Sequence, residues 1–152
     1  MSPRIHLPSG LVTFMFTDIE GSTRLAQMLG PGYRPVLSEH RRLLRATLAA
    51  SDGTELFTEG DSFFIAFADA SAALDACLTA QRALNSHEWP TPEAAPRVRM
   101  GLHTGHAEPL AGEYASAEVH RAARIAAAAH GGQVLCSGAT ARHAAPLPPG
   151  AS

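Results

Sequence analysis

Lysine is absent from this chain: all 12 basic residues are arginine. Any mechanism that needs a lysine ammonium is excluded with it. Cysteine is nearly absent as well. Cys77 and Cys136 lie in apolar surroundings without CxxC spacing, which excludes a disulfide framework or a zinc cluster and leaves two reduced thiols in a protein expected to be cytoplasmic. No apolar run approaches the roughly 20 residues of a membrane span, and residues 1–10 carry Pro3 and Pro8 where a signal peptide needs a continuous apolar stretch. Charge of one sign is also missing. Twelve basic against 14 acidic residues, a net charge of −2, argue against a broad footprint for nucleic acid or for contact with an anionic membrane. No P-loop, GxGxxG, GxSxG or HExxH occurs, so the common ATPase, dinucleotide and hydrolase assignments drop out.

What is present suffices for one domain. The chain has 152 residues, of which 45% are apolar and 17% charged, the balance of a sequence that buries a core. Twenty-nine residues are Ala, which favour helices and close backbone approach but contribute little bulk. Bulk must come from a few Leu, Val, Ile and Phe clusters.

Residues 11–16 (LVTFMF) form a short β-branched and aromatic run closed by Thr17 and Asp18, the pattern of a buried strand. Helices are expected over 22–29, halted by Gly30-Pro31-Gly32, and over about 35–50, with the arginines of the latter on a solvated face. Two strand-like runs, 55–58 and 62–67, flank Glu59-Gly60-Asp61 and predict a hairpin. Asp69 can cap an Ala-rich helix to about Asn85; a Pro-rich loop leads to a strand over 97–104, a helix over 115–130 and a short strand over 133–136. That order predicts an α+β fold with helices over one face of a mainly antiparallel sheet. The expected division is an N-terminal extension at 1–10, a domain over 11–144 and a Pro/Gly-rich, flexible tail at 145–152.

Three clusters carry chemistry. Asp18 at a strand end, followed by Gly21-Ser22-Thr23 opening a helix, sets an oxygen ligand for a hard cation beside backbone N–H groups suited to phosphate; the plain alternative is that Asp18 caps the helix. Asp61 at the hairpin tip would reach Asp18 if the hairpin lies beside the first strand, giving two carboxylates for Mg²⁺; otherwise it is a turn aspartate. His120 and Arg124, four apart on a helix, share a face and could orient a sugar or phosphate and neutralise developing charge, or simply be surface residues.

Together these motifs resemble the catalytic domain of class III adenylyl and guanylyl cyclases. VTFMFTDIEGST at 12–23 looks like the first metal motif, GDSFF at 60–64 like the second, RMGLHTG at 99–105 like the following strand, and VHRAARI at 119–125 like the transition-state helix. The resemblance implies a ferredoxin-like, palm-type domain acting as a head-to-tail homodimer, with the family's usual C-terminal strand pair lacking from this chain. It implies two Mg²⁺ or Mn²⁺ ions held by Asp18, Asp61 and the Ile19 carbonyl, with His120, Glu113 and Arg124 supplied by the other copy. ATP, or GTP, would become a 3′,5′-cyclic nucleotide and pyrophosphate.

Departures from the family pattern fall on substrate-reading positions. Where adenylyl cyclases carry Lys and Asp to read the base, this sequence has Phe57 and Glu113; where they carry a ribose-orienting Asn, it has His120. Glu113 can accept from an amino group, whereas Phe57 can only stack or fill space. Those changes keep an alternative open, a cyclase-homology module that dimerises or senses nucleotide without turnover. A palm-type diguanylate cyclase is disfavoured because no GGDEF-like stretch occurs.

Overall fold

A computed structural model of the chain describes residues 7–144. The expected tail at 145–152 and the first part of the expected N-terminal extension lie outside the described residues. Five strands form one sheet in the order β2-β3-β1-β4-β5, where β1 is Gly10–Ile19, β2 Thr54–Glu59, β3 Ser62–Phe67, β4 Val98–Ala107 and β5 Val134–Cys136. All neighbours run antiparallel except β4 and β5. The helices are α1 (Ser22–Leu29), α2 (Tyr33–Ser51), α3 (Ala70–Ser86), α4 (Ala117–Ala128) and α5 (Gly138–His143). Short 3₁₀ turns at Gly30–Gly32 and Pro92–Ala94 fill two of the connections.

The central strand is longer than its apolar run. Polar Thr17 and Asp18 were expected to end β1, yet the strand continues to Ile19 because β4 pairs with it along ten positions, Gly10 opposite Ala107 through Ile19 opposite Val98. Long-range pairing thus overrides the local polar stop. Asp69 caps α3 as expected, accepting from the Ala72 N–H at 3.1 Å. The six-residue α5, capped by Ser137, had no detectable signal in sequence.

Alternation along the strands divides the core in two. Met15, Phe63, Ile65, Phe67, Met100 and Leu102 point to one face, where Leu44 and Leu48 of α2 and Leu74, Cys77 and Leu84 of α3 cover them. Val12, Phe14, Phe64, Ala66 and Ala107 point to the other and pack with Ala122 of α4 and, at the margin, Tyr114 and Val119. The expectation of helices on one face therefore holds for α2 and α3 but not for α4. The β4 positions facing α4 read Arg99, Gly101, His103 and Gly105, which look like a solvated face in sequence. An Ala-rich helix covers them because both glycines leave room: a Cβ on Gly101 would stand 2.2 Å from the Ala126 nitrogen.

The arginines of α2 also depart from expectation. Among the described residues Arg42 pairs only with its helical neighbour Glu39, and it is largely exposed. Arg45 instead grips Glu55 of β2 with two hydrogen bonds of 3.0 and 3.2 Å and lies over the Phe63 ring, and Arg41 donates to the Gly60 carbonyl. Two of these cations fasten the β2–β3 hairpin to α2.

Candidate functional site

Strand register builds the first half of the site. Thr17 pairs with Phe63 across the antiparallel β1–β3 ladder, so the hairpin turn preceding Ser62 falls beside the end of β1. There the Ile19 N–H donates to Asp61 Oδ2 at 2.7 Å. Asp61 is therefore a cross-strand acceptor rather than a simple turn residue, and it stands next to the residue that follows Asp18. Arg41 steadies the turn from the α2 side through the Gly60 carbonyl.

Asp18 lies within β1 directly opposite Arg99 of β4, and the guanidinium takes both carboxylate oxygens, Nε to Oδ1 at 2.6 Å and Nη2 to Oδ2 at 2.7 Å. This fork geometry is the strong form of the arginine–carboxylate pair. Those hydrogen bonds raise the Arg99 guanidinium further above its ordinary range. Arg99 was visible in sequence only as part of a strand motif; the signal that singles it out is its cross-strand position opposite Asp18. The same geometry disposes of the helix-cap role for Asp18, since among the described residues no side chain caps α1. Gly21 holds a left-handed φ of 65° at that helix start, which places Ser22 and Thr23 directly after the end of β1.

Behind the hairpin, His40 of α2 is fully buried and stands edge-on to Phe63 with ring centroids 6.0 Å apart. Burial is the main cause that lowers its imidazole to about 4; the Asp61 charge works the other way. Burial, helped by the Asp61 charge, raises the Tyr33 phenol.

Of the remaining predicted residues, two share a cavity. Phe57 and Glu113 line one cavity of about 350 Å³ with Leu56, Phe64, Gly112, Tyr114 and Val119. Phe57 is 49% exposed, its ring 5.5 Å from that of Phe64. Glu113 closes a tight turn with Leu110 in which Ala111 and Gly112 both have positive φ. His120 and Arg124 are exposed on α4, and among the described residues neither makes a hydrogen bond or ion pair with Asp18 or Asp61.

As a donor set, Asp18, Asp61 and the Ile19 carbonyl are hard oxygens of the kind that suit Mg²⁺ or Mn²⁺. Among the described residues no group of three His, Cys, Asp or Glu side chains could hold a metal, so a carbonyl or substrate oxygens must complete any ion bound at the two carboxylates. Each Asp18 oxygen held by Arg99 keeps a lone pair, so the set fits a divalent ion. No helix among the described residues is long and apolar enough to cross a membrane.

The family model for the adenylate and guanylate cyclase catalytic domain matches residues 6–146. An adenylate cyclase of Mycosarcoma maydis is 38% identical over 154 residues, covering 86% of this chain but 6% of that protein. An uncharacterized protein of Mycobacterium tuberculosis is 35% identical over 135 residues, covering 88% of this chain and 45% of that protein. The chain thus spans 6% of the Mycosarcoma maydis protein and under half of the mycobacterial one. Among solved structures, an adenylate cyclase from Trypanosoma brucei in its monomeric state superposes with a TM-score of 0.81 at 29% identity, covering 90% of this chain and 77% of that one. The catalytic core of a rhodopsin-guanylyl cyclase with converted specificity, in complex with ATPαS, shares the fold, with a TM-score of 0.80 at 18% identity over 91% of this chain and 83% of that one.

Proposed function

The chain belongs to the adenylate and guanylate cyclase catalytic domain family, and from that premise we propose that two copies of it convert ATP, with GTP the second choice, to the 3′,5′-cyclic nucleotide and pyrophosphate. The 3′ oxygen bonds to the α-phosphorus, the bond from that phosphorus to the bridging oxygen breaks, and the 3′-hydroxyl proton leaves to solvent.

The observation that carries this is the register-imposed meeting of Asp61 with Ile19, beside Asp18. Asp18, Asp61 and the Ile19 carbonyl are the donors for two Mg²⁺ or Mn²⁺ ions. Bound there, such ions supply Lewis acidity at the 3′-hydroxyl and neutralise triphosphate charge. The N–H groups at Gly21, Ser22 and Thr23 receive phosphate oxygens at the helix start. Arg124 balances the charge that accumulates on departing pyrophosphate, and His120 orients the ribose. Glu113 accepts from the exocyclic amino group of adenine while Phe57 offers a face for stacking.

Exposure of His120 and Arg124, neither of which bonds to Asp18 or Asp61 of its own chain among the described residues, supports a site completed by a second copy. A non-catalytic role in dimerisation or nucleotide sensing is favoured by one observation, the hold of Arg99 on both oxygens of Asp18.

Cyclic nucleotide production from ATP with Mn²⁺, measured across protein concentrations, tests the proposal. Specific activity is expected to climb with concentration. Asp18→Ala and Arg124→Ala should each lose at least about a hundredfold in turnover. Mixing the two variants should restore activity, because one heterodimer site would hold every group. Nucleotide binding without product at any concentration would leave the sensing role instead.

A further inference from the structure

Over β4, the helix that carries His120 and Arg124 touches the sheet through very little bulk; its Ala122 and Val119 reach Val12, Phe14 and Phe64 only beside that strand. Ala122 and Ala126 are the fully and almost fully buried side chains of α4, and Ala126 lies directly over Gly101 of β4. Alanine over glycine allows close approach but offers no interlocking ridge, so by itself this contact resists sliding or rotation poorly. What interrupts the smooth surface is polar. Glu118, in the first turn of α4, lies over Gly105 so closely that a Cβ there would meet its Oε2 at 2.0 Å, and the same carboxylate engages Nε2 of His103. His103, 7% exposed, stands between the two glycines on β4.

His103 is held from its other side too. Its Nδ1 lies 2.7 Å from Ser137 Oγ, and Ser137 in turn accepts the Thr140 N–H at 3.3 Å as the cap of α5. From Thr140 the chain of hydroxyls continues to Thr104 at 2.9 Å and on to Thr13 in the centre of β1 at 2.8 Å. A carboxylate only accepts, so Nε2 of His103 must carry the hydrogen it shares with Glu118. Arg121 holds the outer Glu118 oxygen at 3.0 Å. The carboxylate is therefore oriented from two directions, and the imidazole is fixed by a polar chain that runs into the core.

We propose that the His103–Glu118 contact is a register pin for α4, making both residues positioning residues for His120 and Arg124. It acts as a buried polar residue does in a coiled coil, where one specific contact selects a register that apolar packing leaves degenerate. Neither side chain touches substrate in this scheme. Their effect passes through the helix, and misplacing a reacting group by about 1 Å can cost on the order of a hundredfold in rate. The link to turnover rests on the cyclase reading above; the pin itself does not.

The test uses Glu118→Ala and Glu118→Gln in the full chain, with hydrogen exchange across α4 and α3, thermal melting, and kcat and KM for ATP with Mn²⁺. In Glu118→Ala, exchange should quicken in α4 but not in α3, and kcat should fall at least about tenfold with KM within about twofold. Glu118→Gln, which keeps an acceptor for Nε2, should return both readouts most of the way to the parent values. Unchanged α4 exchange in Glu118→Ala, or equal effects of the two substitutions, would overturn the pin. If the parent chain makes no cyclic nucleotide, the catalytic reading falls, while the exchange contrast between α4 and α3 still decides whether the pin exists.

Discussion

The face of the sheet under α2 and α3 and the stretch of β4 under α4 are covered by different means. Against α2 and α3 the strands present Phe63, Phe67, Ile65, Met15, Met100 and Leu102, large side chains that interdigitate and exclude water. Toward α4, the strand β4 presents Gly101, His103 and Gly105, and the helix answers with alanines and one carboxylate. Bulk is suited to holding a fold against unfolding, because each buried large side chain contributes a few kcal/mol. Close approach with a single polar contact contributes less stability but specifies position. His120 and Arg124, the residues proposed to complete the site, ride on the helix that covers this strand.

That contrast can be broken from either side. On the apolar face, Phe63→Ala removes a fully buried ring and should cost about 3–5 kcal/mol in denaturant unfolding. A loss under about 1 kcal/mol would mean that this face does not carry the fold.

Next in size is the pH dependence set by His40. Burial holds its imidazole at about 4 in the folded chain, against about 6.5 when unfolded. Below the unfolded value the open chain binds a proton that the folded chain refuses, so stability is full above that point and declines as the pH falls toward about 4. The decline should amount to about 3 kcal/mol. His40→Leu should flatten that part of a melting-against-pH curve, and parallel curves for parent and variant would assign the acid sensitivity to another group.

The smallest effect belongs to the α4 face. Gly101→Ala, whose Cβ would stand 2.2 Å from the Ala126 nitrogen, should cost about 1–3 kcal/mol by lifting the helix. Its effect on turnover should nonetheless exceed that of Phe63→Ala measured below both melting points. The reverse order would erase the distinction between the faces.

Local pattern made much of this legible in advance. The alternation of Val98, Met100 and Leu102, the Gly-Asp hairpin centre and the Asp69 cap each rest on neighbours a few residues apart, and all three appear in the fold. What could not be read depended on partners far along the chain. Asp18 looked like a strand terminus because nothing local shows that Arg99, on a strand not yet formed, extends the pairing past it. Arg41 and Arg45 looked solvated because the hairpin they hold comes later in sequence. The position of α4 was hidden for a related reason. Two glycines and a histidine on a strand resemble exposed positions until a helix of small residues is laid across them.

The Asp18–Arg99 fork also bears on the domain when no ion is bound. Acidic groups gathered at one end of a sheet repel each other, and an empty cluster of that kind works against its own fold. In this domain a guanidinium from the adjacent strand already offsets one of the two charges. The acids can stay assembled with no ion between them, and on the proposed two-metal reading a shortage of the ion is expected to silence turnover without dismantling the protein.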